Sequence, residues 1–336
     1  MIACGANSAS YNAKSRKSTS DVEVTELIAV ARPTLSVAIL SWNTEALLAE
    51  CLESVWVACE GISSETVVVD NASSDGSVAM VESRFPWVKL VKNRTNDGYA
   101  IGVNHLLSHC RGEYILLLGS DTRPERNSLK TLLEFARSKG EALGAVAPRL
   151  VNPDGTIQRA CMRWPTMKTL LWWDTPLGTR WPKSSELVRY QYLDWDHHGT
   201  REVDQPPGTC LLVPAVVVAR IGSMDPSLWL FFNDVDWCLR MKQAGFSRWY
   251  CEEAEVLHHQ GASTKKYADF GPEWHRNRIA YYRKHFGRTG KFLAKLVLLF
   301  VAIRQVFRVR RDIGSWKATR PHVRQITKTA VQILRR

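Results

Sequence analysis

Short apolar runs, each closed by a polar cluster, recur along the first third of the chain. Leu35–Ser36–Val37–Ala38–Ile39–Leu40 ends at Ser41–Trp42–Asn43, and Thr66–Val67–Val68–Val69 ends at Asp70–Asn71. Val88–Lys89–Leu90–Val91 leads into Asn93–Arg94–Thr95–Asn96–Asp97–Gly98, and Tyr114–Ile115–Leu116–Leu117–Leu118 ends at Gly119–Ser120–Asp121. Runs of this length and composition predict strands. Between them lie helical segments: roughly Glu45–Val57, then Ser77–Arg84 with Ser73, Ser74 and Asp75 as candidate caps, then a stretch through Leu106. The alternation predicts parallel βαβ units, an α/β fold with a doubly wound, mostly parallel sheet flanked by helices. In such sheets ligands bind beyond the carboxyl ends of the strands. Ser41, Asn43, Asp70, Asn96 and Asp121 all fall at that edge, and four polar clusters in succession predict a site there.

From about Val146 the rhythm changes. Val151–Asn152–Pro153–Asp154–Gly155–Thr156 reads as a turn between short strands. Residues 161–207, rich in Trp, Pro and Tyr, show no clear period and predict a variable insertion or lid. Gly208–Thr209–Cys210–Leu211–Leu212–Val213 returns to strand character. A helix opens at Asp234 and stops near Gly245, a favourable C-cap. Trp249–Tyr250 and Glu255–Val256–Leu257 predict edge strands before His258–His259, which arrive 24 residues after Asp234.

A strand-end carboxylate, a helix-start carboxylate and a later histidine are the parts needed to hold a divalent cation and take a proton from a hydroxyl. Each has a plainer reading. Asp70 either accepts hydrogen bonds from a nucleobase or caps the Ser73–Asp75 turn. Asp121 either meets a hard cation that offsets its desolvation, or is a turn residue before Arg123–Pro124. Asp234 is either a base kept ionised by the helix N-terminus or a simple cap. Asp236, two positions on, faces another side of the helix and reads as structural. Gly98 and Gly102 form a loose glycine-rich loop, a weak phosphate signal alone.

Taken in order, VAILSWN (Val37–Asn43), VVVDNASSDGS (Val67–Ser77), NDGYAIGVN (Asn96–Asn104), LLLGSDT (Leu116–Thr122), APRLVNPDG (Ala147–Gly155), FFNDVDWCLR (Phe231–Arg240) and HHQGAST (His258–Thr264) resemble glycosyltransferase family 2. The similarity covers roughly residues 34–285 and runs toward the bacterial branch of rhamnosyltransferases and other cell-wall or polysaccharide transferases. It implies an inverting enzyme of GT-A fold, a nucleotide diphosphate-sugar donor, a glycan or lipid-linked acceptor, and Mg²⁺ or Mn²⁺ on the donor phosphates. By the same resemblance Asp234 is the catalytic base, Ser41, Asn43, Asp70, Asn96 and Gly98 line the donor pocket, and Asp121 with His258 stands at the metal. Spacing to Ser263 favours His258 over His259 for that place. Two departures are plain: Gly119–Ser120–Asp121 offers one carboxylate where the family often has more, and Asn233 stands where the family usually has Glu.

Charge changes the picture at one end. The chain of 336 residues carries a formal net charge of +12, and residues 291–336 hold twelve Lys or Arg against Asp312 alone. Residues 34–290 are neutral. On a helical wheel Arg324, Lys328 and Arg335 fall within about 40°, with Val323, Ile326, Ala330, Ile333 and Leu334 on the opposite half. That pattern predicts a basic amphipathic helix for an anionic membrane surface, with a helix docked on the enzyme or on a dimer partner as the plainer reading, and its apolar half argues against nucleic acid. Leu296–Ile303 is apolar on all sides but too short to span a bilayer. Eight scattered cysteines without a Cys-x-x-Cys pair exclude a zinc ribbon and predict reduced thiols in a cytoplasmic protein, peripheral at the inner face of the membrane.

The expected organisation is a disordered segment 1–33, a donor half 34–150, an acceptor-binding and catalytic half 151–285, and a basic helical extension 286–336. Two rivals stand beside the transferase reading: a GT-A protein that binds nucleotide or polyanion without turnover, and a nucleotidyltransferase. The second needs a Gly/Arg/Lys-rich signature after the first strand, and Ser41–Trp42–Asn43–Thr44–Glu45 has none.

Overall fold

The computed structural model describes residues 32–173, 175–259, 270–313 and 315–335. The disorder expected for residues 1–33, save Arg32 and Pro33, and the spacing to Ser263 lie outside the described residues.

Strands β1 (Leu35–Ser41), β2 (Ser64–Asp70), β3 (Lys89–Lys92) and β4 (Tyr114–Gly119) form at the apolar runs, with helices α1 (Glu45–Ala58), α2 (Ser77–Arg84) and α3 (Tyr99–His109) between them. β1 pairs in parallel with both β2 and β4, and β2 with β3. The strands are buried on both faces, which is why they read as continuous apolar runs rather than alternating ones. Val37 and Ile39 pack on one side with Leu48 and Leu52 of α1, whereas Ala38 packs on the other with Val103 and Leu106 of α3. Asp75, expected as a cap, accepts from the Ser77 amide and hydroxyl at 3.0 and 2.6 Å, one position before the helix boundary at Gly76.

The second half of the sheet is mixed. β5 (Thr122–Pro124), helix α4 (Ser128–Lys139) and β6 (Leu143–Val151) follow β4. Residues 161–207 fold into three short helices, α5 (Met167–Trp172), α6 (Pro176–Arg180) and α7 (Ser185–Tyr190), and a two-residue strand, β7 (Arg201–Glu202). Elements of five or six residues span too few turns to show a period, so none was visible in the sequence. β8 (Cys210–Pro214), α8 (Ala215–Ile221), α9 (Asn233–Gln243) and β9 (Ser247–His258) complete the sheet, in the order β3-β2-β1-β4-β8-β6-β9-β5 with β7 on β9. The two edge strands expected near Trp249 and Glu255 are instead one twelve-residue strand. β9 is flanked by β6 on one side and by β7 and then β5 on the other. Its register against β6 shifts between Pro148 and Arg149, and this irregularity accounts for the break in its pattern. The result is a GT-A arrangement, a mostly parallel sheet between helical layers.

Two C-terminal helices, α10 (Phe270–Ile313, kinked at Gly287) and α11 (Trp316–Arg335), lie outside the sheet. Ala330 and Ile333 of α11 are buried, and Ile333 packs with Ala294, Val297 and Leu298 of α10. The apolar half assigned to the last helix for a membrane is therefore partly taken up by docking on α10. Nor is Leu296–Ile303 uniformly apolar in environment: Val297, Leu298 and Ala302 are buried, while Leu296, Leu299, Phe300 and Ile303 are exposed.

Candidate active site

The carboxyl ends of β1, β2, β4 and β9 meet along one edge. A cavity of about 480 Å³ there brings together Ser41, Asn96, Gly98, Asp121, Asp234 and His258. Aromatic rings of Trp173, Tyr190, Trp229, Phe231 and Trp274 wall its far side. A second cavity of about 440 Å³ also borders Asp234 and His258, so these two side chains stand where two rooms adjoin.

Asp121 and His258 are paired by sheet register. Thr122 lies opposite His258 in the β5–β9 ladder, and the His259 amide donates to the Asp121 carbonyl at 2.9 Å. His258 Nε2 then sits 3.6 Å from Asp121 Oδ1. Gln158 fixes the imidazole. Its amide nitrogen donates to the His258 carbonyl (2.8 Å) and Asn152 Oδ1 (2.7 Å), which leaves Gln158 Oε1 to accept from His258 Nδ1 at 2.8 Å. With the proton on Nδ1, the neutral ring turns the lone pair of Nε2 toward a carboxylate oxygen. Burial favours that neutral state and lowers the His258 pKa against the pull of Asp121. Two acceptors facing one another are the donor set a cation would bridge, and the Gln158 bond is the outer-shell support such a histidine uses. Among the described residues no cluster of three or more His, Cys, Asp or Glu stands ready for a metal.

Asp234 occupies the first turn of α9. The residue before the helix, Phe232, adopts φ 63° and ψ 1°, a left-handed conformation that costs a bulky residue about 1–3 kcal/mol. Its ring is held by Trp274 and Tyr281, with centroids 5.0 and 5.2 Å away. Asp234 Oδ1 accepts from the Val235 amide at 2.8 Å and Oδ2 from Gln205 Nε2 at 3.2 Å. Burial raises the Asp234 pKa and these hydrogen bonds oppose it, so the net shift is upward. The helix N-terminus was expected to keep this group strongly ionised, yet desolvation is the larger effect. Gly208 makes room for it, since a Cβ there would lie 2.9 Å from the Asp234 side chain.

Asp236 behaves differently. It is fully buried and bonded to Arg240 (2.9 Å), Lys284 (2.7 Å) and His285 (2.9 Å). Burial alone would raise its pKa, but the His285 and Lys284 hydrogen bonds and the Arg240 charge bring it down to about 2. This carboxylate ties α9 to α10 and does not reach the cavity.

At the other end of the edge, Asp70 is buried, and its Oδ2 accepts from the Ser73 amide at 2.8 Å. The turn-capping role is thus real, but Oδ1 is buried with no hydrogen-bond partner. Asn96 Oδ1 accepts from Asn71 Nδ2 (2.8 Å) and from the Gly98 amide (3.1 Å), which shapes the loop before α3. Gly98 has φ 89°, and a Cβ on it would lie 2.3 Å from the Trp229 indole, so only glycine fits. Ser41 lines the cavity but its hydroxyl lies 3.1 Å from Thr44 Oγ1, which donates to Ser120. Asn43 is absent from the cavity wall. Its Oδ1 accepts from the Ser74 amide at 2.7 Å and holds the loop after β2. Gln158, Gln205, Gly208 and Trp229 were not anticipated. Single glutamines and a tryptophan in aperiodic stretches carry no local signal, and only long-range folding brings them to the edge.

Residues 36–195 match the family model described as Glycosyl transferase family 2. An N-acetylglucosaminyl-diphospho-decaprenol L-rhamnosyltransferase of Mycobacterium tuberculosis is 28% identical over 209 residues, covering 59% of this chain and 67% of that protein. A low-salt glycan biosynthesis hexosyltransferase, Agl10, of Haloferax volcanii is 22% identical, covering 76% of this chain and 77% of that one. Among solved structures, a mannosyltransferase from Pyrobaculum calidifontis in complex with GDP-Man and Mn²⁺ superposes with a TM-score of 0.50 at 15% identity, covering 91% of this chain and 88% of its own. That likeness concerns the fold. With the motifs in order along the strand ends, residues 36–195 are thus similar to the glycosyltransferase family 2 domain, and the scaffold around them is of the GT-A kind.

Proposed function

We propose that the protein is an inverting glycosyltransferase that moves a sugar from a nucleotide diphosphate-sugar to an acceptor hydroxyl. The observation that carries this reading is Asp234, a desolvated carboxylate held by Gln205 and the Val235 amide at the junction of two cavities. Donor and acceptor meet at such a junction. Asp70 stands at the same edge but lines neither of these two cavities, and its buried Oδ1 has no partner, so its place in nucleobase recognition rests on the motif it ends. Gly98 and Asn96 then shape the loop beside the sugar-nucleotide. Residues 34–150 supply the donor half and 151–285 the acceptor half.

In the reaction, Asp234 takes the proton of the acceptor hydroxyl as its oxygen bonds to the anomeric carbon. The bond from that carbon to the diphosphate oxygen breaks on the opposite face, and the nucleoside diphosphate leaves with the electron pair. A raised pKa suits this role, since a base works best when its pKa approaches the operating pH. Asp121 and His258 Nε2 would hold Mg²⁺ or Mn²⁺, which supplies charge neutralisation to the departing diphosphate when bound. The relatives named above act, by their names, in L-rhamnosyl transfer to a lipid-linked sugar and in glycan biosynthesis. They support a lipid-linked or cell-wall glycan acceptor here. With such an acceptor, the basic residues 291–336 would meet an anionic membrane, placing the enzyme peripherally at its cytoplasmic face.

The deciding experiment is a thermal-shift panel of nucleotide-sugars with and without Mn²⁺, followed by release of nucleoside diphosphate in the presence of acceptor. Stabilisation by one donor with turnover is expected. Binding without turnover would instead favour a nucleotide-binding protein that has lost catalysis.

A further inference from the structure

The second half of α10 is apolar on two opposite sides. One side, with Ala294, Val297, Leu298 and Ala302, is buried against the rest of the protein. The other carries Phe292, Leu296, Leu299, Phe300, Ile303 and Phe307, each between 44% and 65% exposed. At about 100° per residue these six fall within roughly one 100° arc, on the side opposite the buried face. A stripe of six large apolar side chains in water is unusual for a helix already docked along its other face. From Phe292 to Phe307 it runs about 23 Å at 1.5 Å per residue.

The charges beside it have one sign. Arg304, Arg308 and Arg311 border the stripe on one flank, Arg288 on the other, and Arg310 stands at its end, while Lys295 turns to α11 and donates to the Leu334 carbonyl. The single acid of the segment, Asp312, is paired with Arg311 at 3.0 Å. Two copies of the stripe packed against each other would set basic flank against basic flank. An anionic bilayer matches both features, taking the apolar side chains below the headgroups and the guanidinium groups among them. The apolar stripe, at about 23 Å, is shorter than the hydrocarbon core of about 30 Å, and among the described residues no helix is long and apolar enough to span a membrane.

We propose that this outward stripe of α10, rather than the apolar half of α11, is the surface by which the protein lies in the plane of an anionic membrane. The same element lends Trp274 to the cavity wall on the other side of the Gly287 kink, so docking through α10 would bring a lipid-linked acceptor to the site's own helix. This purpose rests on the transferase reading; the surface itself does not.

Sedimentation of the full chain with vesicles of phosphatidylcholine and phosphatidylglycerol in equal parts tests it. Wild type is expected to pellet with these vesicles and not with phosphatidylcholine alone, and to be released by salt. The pair Phe300→Glu/Phe307→Glu and the pair Arg304→Glu/Arg308→Glu should each weaken vesicle binding roughly tenfold or more. A change in the α11 face, Arg324→Glu/Lys328→Glu, should weaken it less. Failure of wild type to pellet overturns the proposal. So does a larger loss from the α11 pair than from the Phe pair, or a wild-type dimer in sedimentation velocity that the Phe pair converts to monomer. Release of nucleoside diphosphate with soluble substrates, measured on the same variants, keeps this outcome separate from that of the transferase reading.

Discussion

The strand-end edge and the outer face of α10 break the usual rule of burial in opposite directions. At the edge, polar groups lie wholly or partly out of water: Asp70 Oδ1 is buried with no partner, burial raises the pKa of Asp234, and His258 Nε2 faces Asp121. On α10, Phe292, Phe300 and Phe307 are more than half exposed. Neither arrangement lowers the free energy of the isolated chain. A buried acceptor without a donor and an apolar ring in water both cost stability. Where folding leaves such costs standing, a ligand removes them, and the type of cost names the type of ligand. Unpaired polar groups point to a charged, hydrogen-bonding molecule. An apolar stripe with a basic border points to a lipid surface.

The contrast is sharpest between two carboxylates on the first turn of α9. Asp234→Asn should leave fold and donor affinity nearly unchanged but lower kcat by about 10²–10⁴, the usual worth of a general base. Steady-state kinetics beside a donor titration check this, and retention of a tenth of wild-type kcat would remove Asp234 from the role. Asp236→Ala should do the reverse. It strands Lys284, His285 and Arg240 around a vacant centre and should cost about 3–5 kcal/mol in urea unfolding. If Asp236→Ala proved stable but inactive, the division between the two carboxylates would fail.

Asp121→Ala should weaken donor binding roughly tenfold with Mn²⁺ present and little without it, because it removes an oxygen ligand and no nucleobase contact. Equal losses in both titrations would assign Asp121 to structure.

Acid should separate the same groups. Asp234 has a raised pKa, so kcat should fall as pH drops through a value above the ordinary aspartate value of about 3.9. Asp236, held at about 2, contributes stability that is fully present above the unfolded value of about 3.9 and is lost as pH falls toward 2. Activity should therefore disappear before the fold does, as a pH–rate profile set against circular dichroism will show. The smallest effect belongs to α10: Phe300→Glu, on an exposed face, should shift unfolding free energy by no more than about 0.5 kcal/mol. A larger loss would mean that the ring is packed in solution and the stripe is not free.

Much of the first half was legible in the sequence because its signals are local. A parallel strand buried on both faces is a continuous apolar run, and the residue that ends it sits at the ligand edge whatever the rest of the chain does. The strand ends read in this way bring Ser41 and Asp121 to the cavity, and the helix start brings Asp234, whereas Asp70 stands at the same edge without lining it. Their partners were not legible. Gln158 meets His258 across 100 positions and Gln205 meets Asp234 across 29, and no periodicity links such residues. Asn43 shows what the strand end alone does not give: it stands at the same edge, but with a left-handed backbone (φ 54°) its amide oxygen meets the neighbouring loop.

The C-terminal helices mark the same boundary. The sequence by itself determined that residues 291–336 are basic and mixed with apolar positions, because charge and hydropathy belong to the residue. Which apolar face remains in water was decided only by tertiary structure. Two helices with apolar faces compete for one surface of the protein, and burial is settled by what each can pack against. Ile333 of α11 found Val297 and Leu298 of α10, and among the described residues the far side of α10 stays exposed.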